Sequence, residues 1–286
     1  MQIQASFDAG QATLYLVATP IGHLADLTVR AAETLQEVSV IFAEDTRQSK
    51  VLLAHYGIRT PMISMHQHNE AERVETVIEH LETGVSVALI SDAGTPLISD
   101  PGARIVQAVI EAGYPVVTIP GPSAALTALP ASGLSTEPYL FYGFLPAKSA
   151  ARQKILRTLS TLPFTLIFYE APHRIDAMIA DLTAVLGPRH CVIARELTKR
   201  FESYLRFTLD QSLTLPALKG EIVVLVEGAT DVLLDHDDAV VHVELLMADG
   251  HSEMEAIKRA AKARHLKKNE VYMAFQRAKK QREQRK

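Results

Sequence analysis

The loop at residues 90–102 constrains the fold of this chain more than any other stretch. It reads ISDAGTPLISDPG, so the unit Ile-Ser-Asp occurs twice and turn-forming glycine or proline follows each copy. A short apolar run precedes it at residues 85–89, and a segment with helical spacing follows at residues 103–112. This order predicts a strand-to-helix loop. Since ligands of open α/β sheets bind beyond the carboxyl ends of strands, it is a candidate binding loop, and the alternative is an ordinary pair of tight turns.

Short apolar runs alternate with amphipathic segments on both sides of this loop. The pattern predicts two α/β domains, at residues 12–128 and 129–230, the first with a mostly parallel sheet. The helix after the first strand is expected to begin at Asp26 or Thr28, with Val29, Ala32 and Leu35 on its apolar face. Strands are expected at residues 13–18, 40–43, 62–64, 85–89 and 115–119, and then at residues 139–144, 165–169, 191–194 and 221–226.

The charge distribution sets the end of the chain apart. The net charge of the 286 residues is -4, but residues 251–286 hold twelve Lys or Arg against four Glu, which gives +8 there and -12 elsewhere. After an acidic linker at residues 231–238, helices are expected at residues 240–247, 252–265 and 268–280, with capping-box spacing between Ser252 and Glu255. A basic, helix-turn-helix-like module at residues 238–286 predicts a polyanionic partner such as RNA. The alternative is a solvated helix face.

Polar side chains follow several of the predicted strands. The run Glu-Asp-Thr-Arg at residues 44–47 follows the second strand, although Asp45 or Thr46 is equally explained as a helix cap. Residues 170–174 and 195–199 follow two strands of the second domain. Because a two-domain α/β chain places its ligand between such strand ends, we expect residues 91–102 and 170–199 to face one cleft.

Other features narrow the class of protein. The single cysteine, Cys191, lies in an apolar run, which excludes an internal disulfide and fits a reducing compartment. No segment approaches the length of a membrane span and the first residues lack a secretion signal, so we expect a cytoplasmic protein. His66 and His68 are two residues apart, but no third residue follows at a sequence spacing typical of a metal site. A polar loop is therefore expected there, and no metal is predicted.

Six motifs, in this order, resemble the tetrapyrrole methylase superfamily, and within it a branch that methylates small-subunit ribosomal RNA. They are Thr-Pro-Ile-Gly at residues 19–22, Glu-Asp-Thr-Arg at 44–47, SDAGTPLISDPG at 91–102, PGPSA at 120–124, YEAPHR at 169–174 and RELTK at 195–199. The resemblance implies two α/β domains with S-adenosylmethionine in the cleft between them, and a homodimer. It also implies 2'-O-methylation of a cytidine ribose in the decoding region of 16S ribosomal RNA, presented as RNA or as the assembled 30S subunit.

The resemblance also implies which residues contact the cofactor. They are Pro20, Asp92, Ala93, Gly94, Thr95, Ile98, Ser123, Ala124, Glu170 and Leu197. Relatives that modify tetrapyrroles usually have Gly-Gly-Asp where this chain has Ala-Gly-Thr at residues 93–95. That difference argues against a porphyrinoid substrate.

The chemistry of such a reaction limits which residues are needed. Methyl transfer from a sulfonium is an in-line displacement, so positioning of the reacting atoms supplies much of the rate and no metal is required. The 2'-hydroxyl must lose its proton, which calls for a base or a stabilising cation. Candidates for this role are Glu170, His173, Glu196 and Lys199. Candidates for phosphate binding are Arg47 and Arg174, followed in the basic module by Lys258, Arg259, Lys267, Lys268, Arg277, Lys279 and Lys280.

Two other functions remain open from the sequence. A methyltransferase acting on a tetrapyrrole or another small molecule would use the cleft motifs but leave the basic module without a role. A non-catalytic RNA-binding protein would use the module but not the cofactor loops. The RNA methyltransferase is the function that uses both.

Overall fold

The structure is a computed structural model that describes residue 4 and residues 10–210, 212, 214–229, 236–248, 250–264 and 266–283. The described residues fall into two compact units, one within Met1–Ser160 and Phe164–Gly228 and the other within Thr161–Pro163 and Ala229–Lys286. The first unit contains two five-stranded sheets, and the second contains three helices. The predicted fold class is confirmed.

The first sheet is entirely parallel. Its strands are β1 (Leu14–Val17), β2 (Val40–Ala43), β3 (Met62–Ser64), β4 (Val87–Ile90) and β5 (Val116–Ile119), in the order β3-β2-β4-β1-β5. The connecting helices are α1 (Val29–Glu37), α2 (Thr46–His55), α3 (Glu70–Glu82) and α4 (Ala103–Glu111). All residues of β2 and β4 are buried, because helices pack against both faces of the sheet.

The expected apolar face of α1 is wrong at one position. Thr28 is the N-cap and its side chain accepts a hydrogen bond from the backbone of Ala31. This start of the helix turns Ala31, Thr34 and Leu35 toward the core, so Val29 points to solvent and is 76% exposed.

The second sheet is mixed. Its strands are β6 (Tyr139–Phe144), β7 (Thr165–Glu170), β8 (His190–Arg195), β9 (Ser203–Thr208) and β10 (Ile222–Val226), in the order β6-β7-β10-β8-β9. Only β6 and β7 pair in parallel. The sequence analysis missed β9, because this strand lies at an edge, is only partly buried and reads SYLRFT without a continuous apolar run. Helices α6 (Ser149–Leu159) and α7 (Ile175–Leu186) follow β6 and β7.

A helix of small residues joins the two sheets. Helix α5 (Ala124–Ser132) follows β5, and its residues Ala125, Ala128 and Leu129 pack against Ile167 and Val223 of the second sheet. The small side chains allow the helix to approach that sheet closely. The loop that begins α5 therefore lies beside strands of both sheets.

The second unit has its own apolar core. Its helices are α8 (His236–Ala248), α9 (Glu253–Ala263) and α10 (Lys268–Glu283), which pack through Val243, Ile257 and Phe275. Residues 231–235 of the expected linker lie outside the described residues. The last part of that stretch belongs to α8, which begins at His236. The capping box is wrong: Ser252 is the N-cap but makes no side-chain cap bond.

Candidate active site

One cavity of about 430 Å³ lies between the loops of the two sheets in the first unit. Its size is within the range typical of small-molecule sites. Residues of both sheets line it, as the sequence predicted for the loops after β4 and β7. The first sheet and its loops contribute Ile21, Glu44, Asp92, Ala93, Gly94, Thr95, Ile98, Ser99, Asp100, Ser123 and Ala124, and the second contributes Phe144, Tyr169, Glu170, Ala171, Pro172, Leu197 and residues 220–223.

The loop after β4 is fixed by backbone pairing to the loop after β1. The amide of Gly94 donates to the carbonyl of Thr19 at 3.0 Å, and the amide of Thr19 donates to the carbonyl of Gly94 at 2.8 Å. Gly94 has φ of +82°, which a side chain would disfavour. Leu97 and Ser99 also have positive φ, at 70° and 74°. Such strained residues concentrate at functional sites, because only a well-determined surrounding structure maintains them.

The loop after β8, on the opposite wall of the cavity, also contains residues with positive φ. Glu196 and Thr198 have positive φ, at 50° and 65°. The hydroxyl of Thr198 accepts a hydrogen bond from the amide of His23 at 3.0 Å, which ties this loop to the one after β1. Gly22 makes this approach possible, because a Cβ there would lie 2.6 Å from the side chain of Lys199. The contact places Leu197 in the cavity wall.

Three carboxylates give the first-sheet wall of the cavity a negative character. Burial, with the nearby charges of Asp100 and Asp92, raises the pKa of Glu44. Burial is also the main cause that raises the pKa of Asp92 and of Asp100. Asp92 is held in place because it accepts hydrogen bonds from the backbone of Asp45 and the side chain of Gln48. Asp100 lies in the loop at residues 91–102 and Glu44 in the polar run at residues 44–47, but neither was predicted as an individual cofactor contact, because only the folded loops bring the two carboxylates together.

Glu170 and Tyr169 form the opposite wall. The carboxylate of Glu170 is fully buried, and its Oε1 accepts from the amide of Ala171 at 2.8 Å and lies 3.1 Å from Nε of Arg174. Its Oε2 is buried without a hydrogen-bond partner among the described residues. The hydroxyl of Tyr169 accepts from the amide of Ala125 at 3.3 Å, and burial raises the pKa of Tyr169. Oε2 of Glu170 is thus an acceptor without a protein donor.

Several residues selected from the sequence lie outside this lining. Pro20 is buried beside it, and His173 is exposed on the short 3-10 helix Pro172–Arg174. Arg47 pairs with Asp45 at 2.7 Å and its side chain is 89% exposed. Asp45 is the N-cap of α2, which supports the cap explanation for that residue. Arg174 forms an ion pair with Glu170 and donates a hydrogen bond to the carbonyl of Leu145.

Glu196 and Lys199 form an ion-pair network next to the cavity. Nζ of Lys199 lies 3.1 Å from Glu196 and 3.1 Å from Glu221. Burial alone would lower the pKa of Lys199, but the bonds to both carboxylates outweigh it and raise that pKa. Burial would likewise raise the pKa of Glu196, but its bonds to the backbone of Glu221 and to Lys199 lower it. Lys199 is therefore held protonated and cannot accept a proton.

The cations selected in the second unit are on its surface, on α9, on α10 or just before α10. Arg259 pairs with Glu255 at 3.0 Å and Lys279 pairs with Glu253 at 3.2 Å. Lys258, Lys267, Lys268, Arg277 and Lys280 are also exposed. Within the described ranges, no cluster of His, Cys, Asp and Glu could hold a metal ion, and no helix is long and apolar enough to cross a membrane.

The fold is similar to that of solved protein structures. A crystal structure of the methyltransferase CobJ superposes with a TM-score of 0.60 over 77% of this chain and 95% of that one, at 20% identity. The family model described as Tetrapyrrole (Corrin/Porphyrin) Methylases matches residues 13–212, and the chain belongs to this family. The predicted family resemblance is confirmed.

Curated relatives match three quarters or more of the chain. One from Bacillus subtilis, named Ribosomal RNA small subunit methyltransferase I, is 43% identical over 272 residues, which cover 92% of this chain and 93% of the relative. Another of the same name, from Haemophilus influenzae, is 51% identical over 221 residues, 75% of this chain and 78% of the relative. The chain is a methyltransferase, and S-adenosylmethionine is its cofactor, as the sequence predicted.

The residues of the cavity fit this cofactor. S-adenosylmethionine carries a sulfonium and an ammonium group, which the negative wall at Glu44, Asp92 and Asp100 complements. The orphaned Oε2 of Glu170 is able to accept an N–H or O–H group. Gly94 and its neighbours bring backbone atoms to the cavity surface, where no bulky side chain intervenes.

Gly94→Val is expected to lower the affinity for S-adenosylmethionine at least tenfold, because the side chain opposes the φ of +82° and shifts the binding loop. Isothermal titration calorimetry measures the effect. Gly113→Val is the matched control: Gly113 has φ of +83° and open space around it, in a turn that does not line the cavity. Unchanged affinity in a folded Gly94→Val protein would remove this loop from the cofactor site.

Proposed function

We propose that the protein transfers a methyl group from S-adenosylmethionine to the 2'-hydroxyl of a cytidine in the decoding region of 16S ribosomal RNA. The observation that carries the proposal is the identity of 43% over 92% of the chain to a relative named Ribosomal RNA small subunit methyltransferase I. The nucleotide and the 2'-oxygen come from the resemblance of the six ordered motifs. The Ala-Gly-Thr sequence at residues 93–95 supports RNA over a tetrapyrrole as the substrate.

The bound cofactor supplies an electrophilic methyl group, and the cavity residues position it. The loop at residues 92–98 and the start of α5 would hold the cofactor against the first sheet, through Gly94, Ser123 and Ala124. Leu197 would cover it from the second sheet. Positioning of this kind converts a reaction between two molecules into one within a complex, which accounts for much of the rate.

Glu170 is the best supported proton acceptor among the four candidates. It lines the cavity, and its Oε2 is buried and accepts no hydrogen bond from the part of the chain that the structure describes. His173 lies exposed outside the lining, and Lys199 is held protonated by two carboxylates. Oε1 of Glu196 accepts hydrogen bonds from the ammonium of Lys199 and from the amide of Glu221, and Glu196 is not among the residues that line the cavity.

The second unit would bind the RNA outside the cavity. Its exposed cations include Lys268, Arg277 and Lys280 on one helix, whose described part has a single acidic residue in its first turn, Glu270. Cations that neutralise phosphates supply affinity without reading the bases. We further propose the domain limits 12–128, 129–230 and 238–286, a homodimer, the 30S subunit or its RNA as partner, and the cytoplasm as location.

Radiolabelled methyl transfer tests the function directly. The purified protein with labelled S-adenosylmethionine is expected to label small subunits or free 16S RNA. After alkaline hydrolysis the label should be found in a dinucleotide whose first nucleotide is the methylated cytidine, because a 2'-O-methyl group blocks cleavage of the phosphodiester bond that follows it. A tetrapyrrole precursor is expected to remain unlabelled. Labelling of the tetrapyrrole alone would replace the proposed substrate.

Glu170→Gln is expected to lower kcat at least about a hundredfold while the cofactor still binds, because the amide keeps the shape but cannot accept the proton. Single-turnover kinetics with saturating RNA and cofactor measures the change. His173→Asn is the comparison, since His173 lies next in the same segment but is exposed, and it should keep its rate. Equal rates for wild type and Glu170→Gln would exclude Glu170 as the base.

Replacement of Lys268, Arg277 and Lys280 by glutamine is expected to weaken RNA binding and to reduce the slope of log affinity against log salt, by roughly one for each lost phosphate contact. Filter binding at several salt concentrations gives the slope. The same replacement of Arg30, Lys50 and Lys154, which are exposed in the first unit, controls for total charge. If both triple variants behave alike, the second unit has no special role in binding RNA.

A further inference from the structure

Phe144 is a large apolar residue whose ring is held in the wall of the cavity. It is the last residue of β6, it lines the cavity, and it is 54% exposed. An exposed aromatic ring beside a binding site is typical of a contact surface for a ligand. The family motifs in the sequence do not include it.

A bulge in β6 turns this ring toward the cavity. Phe141 pairs with Ile167, Gly143 with Phe168 and Phe144 with Tyr169, so Tyr142 is an extra residue without a partner in the register. Residues three apart on a regular strand point to opposite faces of the sheet. Because of the bulge, Phe141 and Phe144 lie on the same face, the one that carries Ile167 and Tyr169.

The bulge depends on glycine at position 143. Gly143 has φ of +81°, and a Cβ there would lie 3.1 Å from the hydroxyl oxygen of Ser99. Ser99 belongs to the loop after β4 and itself has positive φ. Two residues with positive φ, one from each sheet, therefore meet beside Phe144, and this contact brings the ring next to the loop after β4.

Neighbouring rings fix the orientation of Phe144. Its ring centroid lies 5.6 Å from that of Tyr169, with an interplanar angle of 68°. Tyr169 is held in turn by Phe141, at 4.9 Å and 65°, and by the amide of Ala125. Both contacts are edge-type, and among the described residues no ring is stacked in parallel on Phe144. The ring of Phe144 is therefore held by its contact with Tyr169, while its exposed part remains accessible to a ligand.

We propose that Phe144 stacks on the base of the nucleotide whose ribose is methylated. The inference rests on the proposed function, since it takes RNA as the substrate. A nucleotide that leaves its neighbours in the RNA to place its ribose in the cavity loses base stacking, and an aromatic ring beside the cavity replaces the lost stacking. Glu170 lines the same cavity, where the sugar of that nucleotide would lie.

The test compares Phe144→Leu, Phe144→Tyr and Tyr139→Leu in steady-state methylation of small subunits or 16S RNA. Leucine keeps the apolar surface but loses the stack, so kcat/KM for RNA is expected to fall roughly 5- to 150-fold, mostly through KM. Tyrosine keeps the stack and should stay within about threefold of wild type. Tyr139 is exposed on the same strand but does not line the cavity, so Tyr139→Leu should resemble wild type.

Three results would overturn the inference. The first is a Phe144→Leu protein with wild-type kcat/KM. The second is a loss of cofactor affinity, measured by calorimetry, as large as the loss in kcat/KM, which would place Phe144 in the cofactor wall. The third is dissociation of an oligomer by both Phe144→Leu and Tyr139→Leu, measured by light scattering, which would mean that a second copy covers the strand. If the wild-type protein labels no RNA, the proposed function is wrong, and the inference that depends on it is wrong as well.

Discussion

The paired hydrogen bonds between Thr19 and Gly94 are the interaction on which the site depends. They hold the loop after β4 against the loop after β1, and the hydroxyl of Thr19 adds a third bond to the carbonyl of Ser91. From this fixed point the chain continues through Leu97 and Ser99 in strained backbone, so that Leu97 packs into the core while Ile98 and Asp100 line the cavity. Strain in one loop is tolerated because its neighbours determine it.

The two sheets are also joined through close contacts between a glycine and a loop with positive φ. Gly22 allows the loop after β1 to approach the strained loop after β8, and Gly143 allows Ser99 to approach β6. Between these two contacts lies α5, whose small residues pack on the second sheet and whose first residue lines the cavity. The two walls thus have different chemistry: carboxylates with raised pKa values on the first-sheet side, and aromatic rings with the buried Glu170 on the other.

The fold was largely predictable because its strands are short apolar runs bounded by turn residues. The limits of β2, β3 and β6 were predicted to the residue, and β9 was missed because an edge strand needs no continuous apolar pattern. In the cavity, Gly94, Glu170 and Leu197 were found through motifs, which are local in sequence. Asp100 was predicted only as part of the loop at residues 91–102, and the ring of Phe144 was not predicted, because their positions follow from positive φ at Ser99 and from the bulge before Gly143. Positive φ at Ser99 has no sequence pattern that predicts it, whereas an isolated glycine within a strand, such as Gly143, is a sequence signal of a bulge.

A crystal structure of the protein with S-adenosylhomocysteine, the demethylated form of the cofactor, tests the central claim most directly. The ligand is expected in the cavity between the two sheets, with its backbone contacts at residues 92–98 and at Ser123 and Ala124, and with its sulfur directed toward the space between Glu170 and Phe144. A ligand bound outside this cavity, or one whose sulfur faces away from Glu170, would contradict it.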